Sequence, residues 1–188
     1  MTTLNNVKLL ELETFVVSEG SLVPIESGLS IPFKIKRVFY VFEVHDQKDR
    51  GEHSHHKTEQ VLICLSGKVK VLCDDGKDRK EWILDKPNRS LYIPNLIWDE
   101  QTYLTPGSVL LVLANTWYDK SDYIEDYEEF NVTSKAMEWS LLAWDIDQMI
   151  RSLLKYHPEE YETGEKALDH VREEIHNIME EKGLQFPA

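Results

Sequence analysis

Cysteine is almost absent from this 188-residue chain, positive charge is scarce, and no long apolar run occurs. The two cysteines, Cys64 and Cys73, sit in strand-like runs and read as small buried hydrophobes, not as a disulfide framework. The 21 Lys and Arg face 34 Asp and Glu, a formal charge of −13 that argues against nucleic acid or an anionic membrane surface as a partner. A small anionic ligand is still compatible with that charge, because local Arg and Lys placement decides it. Nothing approaches the roughly 20 apolar residues of a membrane span. Met1 to Asn6 lack the basic start and apolar stretch of a signal peptide. These absences predict a cytoplasmic, reduced protein. With 41% hydrophobic residues, the chain is expected to form one globular domain with a sizeable core and an appendage.

What is present is a series of short strands. Residues 7–12, 14–17, 37–44, 61–65, 69–73, 81–84, 90–93, 98–104 and 109–114 are apolar or β-branched runs broken by turn signals. Ser18-Glu19-Gly20-Ser21 and Asp74-Asp75-Gly76 are such turns. Ser66-Gly67-Lys68 predicts a hairpin joining 61–65 to 69–73. Strands at roughly eight-to-twelve-residue spacing indicate a sandwich or small barrel. After Phe130 the period becomes helical through Leu154, Pro158 ends that segment, and a second helix follows with Gly183 as its stop. The expectation is a mainly β domain over residues 1–130 and a C-terminal α-helical hairpin over residues 131–188.

Three of the seven histidines, His53, His55 and His56, fall within four positions where a strand pattern begins. If the segment is extended, His53, His55, Lys57, Glu59, Val61, Ile63 and Leu65 share one face and His56 points the other way. Two imidazoles and a carboxylate on an apolar inner face make a site. It suits proton transfer near neutral pH. It equally suits iron, manganese or zinc, with His53, His55, Glu59 and Asp99 as ligands. Spacing does not separate the two.

The motifs His53-x-His55-x(3)-Glu59 with the later Gly67, Arg37-Val38-Phe39-Tyr40-Val41-Phe42, Arg50-Gly51-x-His53, Glu59-Gln60-Val61-Leu62, Asp74-Asp75-Gly76, Leu91-Tyr92-Ile93-Pro94, Trp98, residues 109–114 and Tyr118-Asp119-x-x-Asp122-Tyr123-Ile124 occur in one order. Together they resemble the WxcM-like cupin family of sugar 3,4-ketoisomerases over residues 7–130. The resemblance implies a cupin (jelly-roll) barrel that dimerises. It also implies cofactor-free isomerisation of a nucleotide-linked 4-keto-6-deoxyhexose, such as dTDP-4-keto-6-deoxyglucose, through an enediol in deoxyamino-sugar and O-antigen synthesis. His53 and His55 match the paired histidines, one as base at C3 and the other as donor at C4. Tyr40 matches a strand tyrosine able to bond sugar hydroxyls. Arg37 and Arg50 are the cations for the diphosphate, and Glu19, Glu59, Trp98 and Asp99 complete the expected substrate surface.

Three positions depart from the family pattern, all toward negative charge: Glu19 and Glu125 where relatives carry Arg, and Asp99 where many carry His. A carboxylate beside a diphosphate or an enediolate is unfavourable. That keeps open a metal-dependent cupin enzyme and a non-catalytic sugar-binding member.

Overall fold

The computed structural model describes residues 2–44, 49–156 and 169–177. The alternating runs become twelve strands. They are β1 (Lys8–Glu11), β2 (Phe15–Val17), β3 (Gly20–Leu22), β4 (Arg37–Val41), β5 (Asp49–His55), β6 (Gln60–Ser66), β7 (Val69–Asp74), β8 (Arg79–Leu84), β9 (Arg89–Ile93), β10 (Trp98–Tyr103), β11 (Val109–Ala114) and β12 (Tyr123–Ile124). Ten of them form two antiparallel sheets, ordered β1-β9-β6-β11-β4 and β12-β5-β10-β7-β8, while β2 and β3 pair with each other. This is the expected jelly-roll sandwich.

Alternation assigns the faces. Leu62 and Cys64 of β6, Val69, Val71 and Cys73 of β7, Leu91 and Ile93 of β9, and Leu110 and Val112 of β11 meet in the core between the sheets. Their neighbours Val61, Ile63 and Leu113 point outward, where Leu12, Ile31 and Phe33 cover them. On the outer face of the second sheet, Trp98 and Ile124 pack with Leu96, Phe130 and Tyr127. Both cysteines are free and buried.

Two local expectations fail. Residues 60–66 and 69–74 are not a hairpin: β6 pairs with β9 and β11, and β7 with β8 and β10, so the turn carries the chain from one sheet to the other. Gly67 makes that corner at φ +81, where a Cβ would lie 2.3 Å from Ser108 Oγ. The extended face from His53 to Leu65 is also interrupted, because residues 56–59 leave the strand between β5 and β6. Val61 and Ile63 therefore belong to the outer cluster and not to the histidine face.

The chain divides into two compact units, residues 1–135 and 136–188. The helix α1 (Tyr127–Tyr156) begins three residues before the change of period. Asp126 starts it, accepting the Glu129 amide at 2.8 Å. Within the first unit, Tyr127 donates to Asp74 Oδ2 at 2.6 Å and Ser134 to the Asp75 carbonyl at 3.0 Å, which ties the helix start to the β7–β8 turn. In the second unit residues 169–177 are helical; the remainder of the second helix, with Pro158 and Gly183, lies outside the described residues. Among the described residues no helix is long and apolar enough to cross a membrane.

Candidate active site

The histidines are aimed by a β-bulge. His53 stands opposite Asp99 and Gly51 opposite Glu100, so Glu52 is an extra residue on β5. Gly51 and Glu52 accordingly have φ of +84 and +53. A Cβ on Gly51 would sit 2.7 Å from the Asp99 carbonyl, so only glycine fits this approach. The bulge has a functional consequence. Arg50 and His53 are three apart and would face opposite ways on a regular strand. With the extra residue, Arg50 stands opposite Gln101, whose side chain lies on the Asp99 face and donates to Asp99 at 2.7 Å.

His53 and His55 meet edge to face with centroids 4.9 Å apart, and Tyr123 of β12 closes over both at 5.0 and 4.3 Å. The half-buried His53 places Nδ1 at 2.8 Å from the Gly51 carbonyl. A carbonyl only accepts, so Nδ1 carries the proton, and in the neutral imidazole the lone pair is then on Nε2. No described residue bonds that Nε2. His55 is buried. Its Nδ1 lies 3.2 Å from Asp122 Oδ2, off the axis of an ideal hydrogen bond. Its Nε2 lies 2.9 Å from the Gln60 amide nitrogen. Burial, then the charge of His53, hold His55 down at about 4, against the opposing pull of Asp122. Asp122 also accepts the Lys57 and Thr58 amides at 2.8 and 3.2 Å and the Thr58 hydroxyl, which fixes the turn after β5.

Arg37 enters from β4. Its Nη1 is 3.5 Å from the Tyr123 hydroxyl, and its guanidinium lies over Phe39 and Tyr118 at 5.3 and 5.6 Å. Its Nε is buried without a hydrogen-bond partner. Exposed Tyr118 continues this aromatic rim, 5.9 Å from Tyr123, and the next residue back, Trp117, is also exposed. Asp99 is buried beside His53, and burial raises its pKa more than the nearby His53 and the Gln101 hydrogen bond lower it. Arg50 is exposed, close enough for its charge to oppose the burial that pushes the Tyr103 phenol up.

The structure thus gathers His53, His55, Arg37 and Asp99, with Arg50 at the edge, and leaves four expected residues elsewhere. Tyr40 alternates with Arg37 and Phe39, so it lies on the outer face of β4, stacked on Phe42 and exposed. Glu59 follows the turn and accepts from outward-facing Tyr92 at 2.9 Å. Trp98 faces the first turn of α1, 5.1 Å from Tyr127. Glu19 is at the exposed tip of the β2–β3 turn, bonded by Ser18 at 2.6 Å. Glu125 is also exposed and is paired with Lys120. The four-ligand set His53, His55, Glu59 and Asp99 is therefore not assembled, because Glu59 is on the far side of its sheet. Among the described residues no three His, Cys, Asp or Glu side chains stand together as a metal site. Sequence reasoning missed the roles of Gln60, Asp122 and Tyr123; their one signal was that polar residues open an apolar strand or sit within a shared motif.

An antiparallel jelly roll with paired imidazoles and an arginine at one end is an architecture of the cupin type. Residues 5–135 match the family described as FdtA, WxcM-like, C-terminal. The chain is 42% identical over 123 residues to the TDP-4-oxo-6-deoxy-alpha-D-glucose-3,4-oxoisomerase of Aneurinibacillus thermoaerophilus, covering 65% of this chain and 88% of that one. It superposes on the sugar 3,4-ketoisomerase QdtA of Thermoanaerobacterium thermosaccharolyticum, solved with TDP, at a TM-score of 0.69 and 42% identity, over 72% of this chain and 98% of that one. The TDP-fucose-3,4-ketoisomerase WlaRA of Campylobacter jejuni aligns at 0.65 and 34% identity, over 69% and 96%. The chain belongs to the WxcM-like family and is an isomerase of the sugar 3,4-ketoisomerase class.

Proposed function

We propose that this chain converts TDP-4-keto-6-deoxyglucose, or a close TDP-linked 4-keto-6-deoxyhexose, to its 3-keto isomer, without a cofactor, in cytoplasmic deoxyamino-sugar synthesis. The observation that carries the reading is the unclaimed Nε2 of His53, which the Nδ1 hydrogen bond to the Gly51 carbonyl makes the basic nitrogen of the neutral ring, beside a half-buried arginine. His53 removes the proton at C3, which is acidic because it lies α to the C4 carbonyl. The C–H electron pair forms the C3=C4 bond and the C4 oxygen takes up charge. Protonation gives the enediol. Loss of the O3 proton and return of a proton to C4 place the carbonyl at C3, so nothing is oxidised or reduced overall. Arg37 meets the anionic part of the substrate with Arg50 beyond it, and Tyr118 and Trp117 offer faces for the base. Asp99 fits this chemistry because its environment favours the neutral acid, which spares the enediolate a negative neighbour. The test is turnover in deuterated water. Deuterium should enter C3 of recovered substrate and C4 of product; absence of both exchange and product at high enzyme concentration rejects this substrate.

The working form is a homodimer. Phe15, Val16, Val17 and Leu22 of the β2–β3 hairpin are all more than half exposed, as are Val38 and Tyr40 on the outer face of edge strand β4 and Phe42 just beyond it. Such apolar surface is costly in water and suits a second copy. In sedimentation the wild type should run as a dimer and the variant with Val16 and Val17 both replaced by lysine as a monomer; a wild-type monomer at micromolar concentration rejects the assignment.

A further inference from the structure

The two histidines look equivalent in spacing, but their surroundings divide them. We infer that His55 is a positioning residue and not a proton donor: Asp122 and Gln60 clamp it as a neutral Nδ1–H imidazole that supports His53. This deepens the isomerase reading and rests on it.

Each nitrogen of His55 has a protein partner suited to one tautomer. Asp122 Oδ2 lies 3.2 Å from Nδ1, off the axis of an ideal hydrogen bond, and as a carboxylate it can only accept, so Nδ1 is the nitrogen it favours for the proton. The Gln60 amide nitrogen faces Nε2 at 2.9 Å and donates into its lone pair. The opposite amide orientation would present an oxygen to Nε2 and demand an imidazolium. Burial and the neighbouring His53 and Arg37 all oppose that charge. The orientation is therefore the one that leaves His55 neutral. Neither nitrogen is left for a substrate carbon, whereas the Nε2 of His53 is unclaimed.

The groups facing His55 come from four elements: His53 on β5, Gln60 on β6, Arg37 on β4, and Asp122 with Tyr123 at β12. Asp122 is itself held by three donors from residues 57 and 58, so its oxygen is fixed in direction. Neutrality matters because His53 becomes a cation when it takes the C3 proton. A second cation 4.9 Å away would oppose that step.

Histidine side-chain 1H–15N correlation spectra of the full chain test the assignment without any substrate, with His55 assigned by its loss in His55→Gln. The expected wild-type pattern has a protonated Nδ1 and an unprotonated Nε2, unchanged from pH 7.5 to 5.5. A proton on Nε2 at pH 7 overturns the inference. In Gln60→Glu the donor becomes an acceptor, so His55 should appear as an imidazolium at pH 7. There kcat should fall about 10-fold or more with KM within about threefold. A cationic His55 with unchanged kcat also overturns it. If wild type turns over no 4-keto sugar, the isomerase reading fails while the tautomer pattern still decides the clamp.

Discussion

Replacing His53 with asparagine lowers kcat for TDP-4-keto-6-deoxyglucose by about 10³-fold, or about 4 kcal/mol of transition-state stabilisation. Dissociation constants for TDP and the intact substrate should change by no more than about threefold. The two readouts separate because His53 offers the reaction a lone pair at Nε2, while the anion and base meet Arg37 and the aromatic rim. Asparagine has no group that accepts a proton near neutral pH, yet its amide nitrogen can still donate toward the Gly51 carbonyl. The loop conformation set by Gly51 and Glu52 is then kept, and binding should survive. Residual turnover within tenfold of wild type would mean that another group removes the C3 proton. Asp99 would be the first suspect, since it is buried directly opposite His53. Loss of binding together with turnover would instead make His53 a contact residue.

How far the sequence carries toward this site depends on the range over which each feature is decided. The strand series is local, since alternation within five or six residues tells a half-buried strand from a helix, and eight of the nine runs took places in the two five-stranded sheets. Whether Ser66-Gly67-Lys68 joins paired strands or crosses between sheets is not local. The same turn residues serve both, and the outcome depends on Thr105 and Ser108, some forty positions on, which receive the Lys68 amide. The His-x-His spacing correctly put two imidazoles on one face. Extending that face to Glu59 assumed an unbroken strand, and the Asp122 carboxylate breaks it by capturing the amides of residues 57 and 58. Tyr40 was one residue from the right parity: Arg37 and Phe39 face inward and Tyr40 does not. Arg50 reaches the histidine side as the motif implied, but through a bulge invisible to simple alternation, which would have turned it away. The His55 clamp was least legible. Gln60 sits five residues away across a turn and Asp122 lies 67 away, so only the folded sheets bring them to the two nitrogens.

The clamp on His55 has a thermodynamic signature that does not involve catalysis. An ordinary histidine titrates near 6.5, and burial with the adjacent His53 lowers His55 to about 4 in the folded protein. Between those two values the unfolded chain binds a proton that the folded chain refuses. Stability therefore rises with pH across this window, is fully present above pH 6.5, and is lost as pH falls toward 4. The swing is on the order of 3 kcal/mol, from the cost of one pKa unit. Asp99 works in the opposite sense. Its pKa is raised, so the folded state retains a proton that the unfolded chain sheds, and its contribution favours folding at low pH. Total stability thus mixes two trends, and the informative quantity is the difference between wild type and His55→Gln, which cannot titrate. Urea midpoints at pH 4.5, 5.5, 6.5 and 7.5 measure it. Glutamine costs packing at every pH, so wild type is expected to be the more stable at neutrality. That advantage should shrink steadily below pH 6.5 as the histidine, but not the glutamine, is forced to choose between its proton and its buried place. A gap that stays constant across the four pH values would show that His55 titrates alike in both states, and the clamp would then have no energetic hold on it.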